Sequence, residues 1–288
     1  MTTRASAQAC CAGGSAITPG RLLKNEQFLV GLQLRTASVI GSFDANARFR
    51  GPAAGTSEWD FEQDLFATLR VLTRAQLSLL VPVLESSRRS PNTGREFGGG
   101  FGDLNFGARY DFLWAHDSPY IPGIAGLAGV TLPTGRAPEA AHLPLGSDAT
   151  GIGAWQANLG LALEQAFGAW LLDLTALAAR RSERRIGTLH SQLGTRFSAI
   201  AALGYVLSGD LSLALGATYT TEGNSAINGQ EVAGTMHRSL ELAGFGVWSP
   251  SNVWRVQWSV FLDPPLDGLG QNQLTTTGAS VALLRTFL

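Results

Sequence analysis

The sequence predicts an all-β protein: a closed antiparallel transmembrane β-barrel of about twelve strands. Three observations predict it. Apolar and polar residues alternate with period two in twelve segments, most of them about ten to sixteen residues long, as strands with two unlike faces require. Short and long connections alternate between the segments. Aromatic residues collect at the segment ends, on the apolar parity. Globular strands average about five or six residues, whereas a tilted membrane-crossing strand needs about nine to eleven.

In chain order the segments span 27–41, 57–72, 75–87, 100–114, 120–132, 151–166, 169–182, 189–206, 209–222, 236–249, 252–263 and 275–288. The first places Arg35 on its polar parity. The second, "SEWDFEQDLFATLR", sets Glu58, Asp60, Glu62 and Asp64 on one face and Trp59, Phe61, Leu65 and Leu69 on the other. Four carboxylates at alternate positions make a column about twenty ångström long, at roughly 3.3 Å per residue. Such a column is prohibitive against lipid, so it faces the lumen. The fourth, "GDLNFGARYDFLW", is read the same way, with Asp103 and Arg109 inward and Leu104, Phe106, Tyr110, Phe112 and Trp114 outward. Arg70, Arg196 and Arg255 fall on lumenal parities of other strands. Acid and base columns either set a transverse field across a constriction or form an ion-pair network that stiffens a narrow barrel. The last segment ends in Phe287-Leu288, a near-terminal aromatic.

Tight connections are expected at Thr73-Arg74, Ala115–Ser118, Phe167-Gly168, Ser208–Asp210 and Ser249–Ser251. Long ones are expected at 42–57, 88–99, 133–150, 223–235 and 264–274, with 183–188 intermediate. This asymmetry suits periplasmic turns and external loops. An even strand number then places both termini in the periplasm. Trp114, Trp170, Tyr205, Trp248 and Trp254 flank the tight turns, while Trp59, Trp155 and Tyr219 sit near the opposite ends. Together they predict the two aromatic girdles of a membrane barrel. The longest loop, 133–150, reads as exposed and external, with inward folding as the alternative.

Residues 1–24 read as a flexible periplasmic leader ahead of a barrel over 25–288. "ASAQACC" offers small-x-small cleavage patterns without an apolar stretch before them. A lumen plug and a link to a periplasmic partner are the other readings of this segment. Cys10 and Cys11 are too few for a zinc site and too close for an ordinary disulfide.

Net charge is −1, which gives no footprint for nucleic acid. No cofactor or metal is expected. His142 and Asp148 lack ligand spacing, and His190-Ser191 cannot pair as base and nucleophile because neighbours in a strand point to opposite faces. No G-x-S-x-G, H-E-x-x-H or phosphate loop occurs, so the chain does not read as an enzyme.

"GFGDLNFGARYDF" (residues 100–112) followed by "GVTLPTG" (residues 129–135) resembles a bacterial family of outer-membrane barrels described as transporters or as proteins of the phenol meta-cleavage pathway. Gly100, Gly102, Asp103 and Gly107 match its G-x-G-D strand; Leu132, Pro133, Thr134 and Gly135 match its L-P-T-G element. The resemblance covers about 35 residues. It implies a channel or importer for small molecules, apolar or aromatic ones among them. The expected partners are outer-membrane lipid and a small solute. A non-conducting structural or adhesion barrel, closed by its ion pairs and its N-terminal segment, is the alternative.

Overall fold

The computed structural model describes residues 20–115 and 120–288. The expectations placed on Cys10 and Cys11, on most of the leader and on most of the 115–118 connection lie outside those residues. Twelve strands close into one antiparallel barrel: β1 (Phe28–Phe43), β2 (Ser57–Leu72), β3 (Ala75–Ser90), β4 (Leu104–Leu113), β5 (Gly123–Leu132), β6 (Gln156–Phe167), β7 (Trp170–Arg181), β8 (Arg196–Val206), β9 (Leu211–Glu222), β10 (His237–Trp248), β11 (Trp254–Leu262) and β12 (Gln273–Phe287). Each pairs with its chain neighbours, and β12 returns to β1 over Phe28↔Phe287 to Phe43↔Gln273. Closure satisfies the backbone groups that an open edge would leave bare in hydrocarbon.

The period-two pattern sorts the faces. In β2, Asp64, Phe66 and Thr68 are buried, whereas Leu65 and Leu69 are 53% and 48% exposed. Leu159, Leu161, Leu215 and Val260 are more than half exposed on other strands. An apolar band of this extent on an outer surface belongs against lipid rather than water. Two-residue turns join β2 to β3 and β6 to β7; in the latter Gly168 takes φ +62°, the left-handed conformation that tight hairpins demand. Tight turns mark one end of the barrel and long loops the other.

Four differences from the sequence reading have physical causes. The expected 88–99 loop is mostly strand: residues Gly94–Phe101 pair with the upper part of β3, Val83↔Phe101 to Ser90↔Gly94. Its glycines dilute the apolar alternation that would have revealed it. The chain then breaks at Gly102-Asp103 and resumes as β4. Residues Leu189–Gln192, expected to open β8, peel away into a four-stranded sheet with Arg184–Ile186, Ala226–Ile227 and Gln230–Glu231 at the long-loop end. The strand expected from 151 begins at Gln156, because residues 149–152 belong to a loop folded inward.

The fourth concerns Trp114. It is 8% exposed and packs inside, 5.7 Å from the Arg70 guanidinium and 6.0 Å from Lys24 Nζ. A bulge between Asp111 and Leu113 adds one residue to β4. Phe112 and Leu113 both point outward, and Trp114 changes face.

Candidate functional site

The interior divides into two layers. At the tight-turn end, residues 20–26 enter the lumen and fill it; of these, 20–24 are expected as leader, with a lumen plug as an alternative. Leu22 is fully buried among Leu29, Phe66, Leu80, Ala282 and Leu284. Phe66 can reach it because Gly31 faces it across the β1–β2 pair, where a Cβ would lie 2.5 Å from the ring. Polar groups fix the segment from all sides. Leu22 N donates to Gln76 Oε1 at 3.0 Å, and Thr68 Oγ1 donates to Gly20 O at 2.9 Å. Arg70 donates to the carbonyls of Glu26 and Leu23 at 2.8 and 2.7 Å.

Ion pairs lock this plug to the wall, Arg21 lying 3.8 Å from Asp111 as well. Glu26 binds Arg255 of β11, and Arg21 binds Glu164 of β6. Arg109 donates to Glu164 Oε1 at 2.7 Å and to Asp111 Oδ1 at 2.9 Å. Arg109, Asp111, Glu164, Glu26 and Arg255 are each less than a tenth exposed. Arg109, expected to line the lumen either in a transverse field or in an ion-pair network, is part of a dry ion-pair network. Glu26 and Glu164 escaped the sequence reading. The signal for Glu164 was available: it is the one carboxylate on the inward parity of "QANLGLALEQAF".

Above the plug the lumen is hollow. A cavity of about 420 Å³ is lined by Arg35, Glu62, Asp64, Arg196, Glu241 and Phe261, among others, with Leu80 and Ala282 of the plug cluster on its wall. A second, of about 440 Å³, continues toward the long loops and shares Glu62, Asn105, Leu177, Arg196 and Ser198 with the first. Volumes of this size suit small molecules.

The acidic column of β2 points inward, but most of it is compensated. Glu58 pairs with Arg88 at 3.0 Å, Asp60 accepts from Ser86, and Glu62 lies 3.5 Å from Arg35, which also stacks 4.4 Å from the Phe261 ring. Asp64 is 6% exposed, and its Oδ1 has no hydrogen-bond partner among the described residues. Arg196 faces both cavities, is exposed to them, and makes no ion pair among the described residues. Its neighbour Arg181 takes Glu222 at 2.7 Å.

Asp103, expected to line the lumen, fastens a loop. Its carboxylate accepts the Gly135 N–H at 2.9 Å and the Ile152 N–H at 2.6 Å, and so pins both ends of loop 133–155. Thr134 Oγ1 donates to Gly102 O at 2.8 Å and accepts from Leu104 N at 3.0 Å. The two motifs that carry the family resemblance thus clasp one another. Side chains at Gly135 and Gly151 would prevent it, since a Cβ on Gly151 would lie 2.4 Å from Asp103 Oδ1. Residues 149–152 line the upper cavity, so this part of the loop folds inward.

Asp148, buried in the same loop, accepts backbone N–H groups of His142 and Leu143 and a bond from Arg136. These hold its carboxyl down to about 2 against the opposing effect of burial. Asp148 is thereby a loop fastener, and His142 is largely exposed beside it.

Trp59, Trp155, Trp170, Tyr205, Tyr219, Trp248 and Trp254 lie on the outer face, between 38% and 55% exposed. Trp170 and Tyr205 make an edge-on pair at 4.8 Å.

A family model described as "Putative MetA-pathway of phenol degradation" matches residues 38–263. Comparison with curated protein sequences gives no match. Among solved structures, an outer membrane channel from Pseudomonas putida F1 superposes with a TM-score of 0.76 at 15% identity, over 92% of this chain and 97% of that one. The NanC porin reaches 0.49 at 9% identity, over 89% and 100%. The translocator domain of the autotransporter NalP from Neisseria meningitidis reaches 0.48 at 10%, over 96% and 93%. The first likeness fixes the fold; the other two carry no argument.

Proposed function

Because the chain belongs to the family described by the phenol-degradation MetA pathway, we propose that this outer-membrane barrel is a gated channel for a small solute. The solute enters at the long-loop end and is stopped, at rest, by residues 20–26. The observation that carries this reading is the pair of joined cavities that runs from the inward loop 133–155 down to the plug. Long loops face outward and both termini lie in the periplasm, as tight turns at the plugged end favour. Passage needs no bond chemistry: most of the lumenal charges hold one another, the plug or a loop, and Arg196 faces the cavities.

A structural barrel sealed by the plug is the second reading, favoured by the buried ion pairs. Conductance in planar bilayers separates the two. The Arg21→Ala/Glu26→Ala variant removes the ion pairs that Arg21 and Glu26 make with the wall. A channel is expected to open more often and wider in the variant than in the wild-type barrel. A folded variant that stays silent supports the sealed barrel.

A further inference from the structure

The outer face at the long-loop end carries charges that solute passage does not use. There β2, β3 and the 94–101 strand run side by side, and their outward residues fall in rows. Trp59, Ser87 and Phe97 form one row; Ser57, Arg89 and Arg95 form the next, farther toward the loops. Successive rows on one face are about 7 Å apart. Arg89 and Arg95 are direct cross-strand partners, and like charges so placed repel.

Both arginines are exposed, and neither makes an ion pair or a side-chain hydrogen bond among the described residues. The Arg95 guanidinium lies 5.7 Å from the Phe97 ring. The inward row shows the contrast: Arg88 pairs with Glu58 at 3.0 Å and donates to the carbonyls of Leu145 and Gly146.

Below the arginines a groove of about 480 Å³ runs between Trp59 and Phe97, over the backbone of Gly98–Gly100. Phe97 is 68% exposed. Gly99 keeps the floor low, because a Cβ there would lie 2.3 Å from Leu84 O. Within the groove stands Glu85, a carboxylate on the lipid-facing parity, which accepts from Gln63 Nε2 at 3.3 Å. An acid on that face is unfavourable in plain hydrocarbon.

We propose that this face seats one phosphorylated glycolipid of the outer leaflet. Its phosphate lies between Arg89 and Arg95, an acyl chain fills the groove between Trp59 and Phe97, and a sugar hydroxyl or amide donates to Glu85. Two guanidinium forks one row beyond an aromatic girdle match a phosphate at headgroup level. The phosphate also relieves the repulsion between the two arginines. The assignment of leaflet rests on the orientation proposed above.

Native mass spectrometry of the full-length barrel in detergent tests the seat without needing conduction, so it stands or falls apart from the channel reading. The probes are bisphosphorylated lipid A, its dephosphorylated form, phosphatidylglycerol and sodium pyrophosphate. One bisphosphorylated lipid per barrel is expected, held at least tenfold more strongly than either other lipid. Arg89→Ala/Arg95→Ala should lose that preference while keeping the heat-modifiable mobility of a folded barrel, and Phe97→Ala should weaken retention severalfold. Pyrophosphate should compete only at much higher concentration. Equal retention by the double variant, or equal binding of the dephosphorylated lipid or of phosphatidylglycerol, overturns the seat. Pyrophosphate binding as strong as lipid binding reduces it to a phosphate site without an acyl groove and overturns it equally. Protease access to loop 133–155 on intact cells checks the leaflet separately.

Discussion

The two layers of the lumen are built on opposite principles. Near the tight turns, Arg109, Asp111, Glu164, Glu26 and Arg255 are almost free of solvent, and each is matched to a partner. Near the loops, Arg35 and Glu62 keep about a third of their surface and lie farther apart, and Arg196 has no acid within ion-pair distance among the described residues. A buried pair gains little net stability, because desolvation opposes the attraction, but loss of one partner strands a charge in the dry layer. Exposed pairs contribute little and can be exchanged at small cost. The lower layer therefore defines one arrangement of the plug, while the upper layer leaves charge available to a passing solute.

Substitutions should split along that line. Arg255→Ala strands Glu26, and removing one member of a buried pair costs about 3–5 kcal/mol. The expected result is a large fall in unfolding temperature together with frequent, larger openings in bilayers. A variant as stable and as quiet as wild type would show that the two layers do not differ as described.

Asp103→Ala acts at the upper boundary and leaves the Gly135 and Ile152 N–H groups without their acceptor, at roughly 1–3 kcal/mol for each. Loop 133–155 should become sensitive to proteases while the plug stays intact. Unchanged cleavage of the loop would break this assignment.

Acid should release the same loop by another route. The Asp148 carboxyl is held well below its ordinary range, so its contribution is complete above about pH 4 and is lost as the pH falls through about 2. Hydrogen exchange of the His142 and Leu143 amides should be flat from pH 7 to about 4, once intrinsic rates are removed, and should rise below that. A rise near neutral pH would point to a different fastener.

Arg196→Gln should have the smallest effect on stability, because the side chain is exposed and makes no ion pair among the described residues. It should shift ion selectivity toward cations without altering the unfolding temperature. A strong loss of stability would place Arg196 in a network like that of the lower layer.

Much of the fold was legible because a strand's period is short and repeats. All twelve barrel strands appear in the alternation, and β1, β2 and β7 fall within about two residues of their expected bounds. What local pattern could not carry was change of register or of partner. A single added residue at Phe112 turned Trp114 inward. Glycines masked the 94–101 strand. Leu189–Gln192 kept strand periodicity while leaving the barrel for another sheet. At the site, parity placed Glu58, Asp60, Glu62, Asp64, Arg35, Arg109 and Arg196 on inward positions. It could not tell which charges meet a distant partner: Arg21 and Glu164 lie 143 residues apart, Glu26 and Arg255 229 apart. Residues 20–26 have no period of their own, so their course into the lumen depends on pockets that exist only after the barrel closes.

The most direct test of the account is single-channel conductance of the refolded full-length barrel beside its Arg21→Ala/Glu26→Ala variant. The account predicts rare, small openings for the wild type and frequent openings of severalfold higher conductance for the variant. A variant that retains barrel mobility and never conducts would contradict it, as would two proteins with identical open traces.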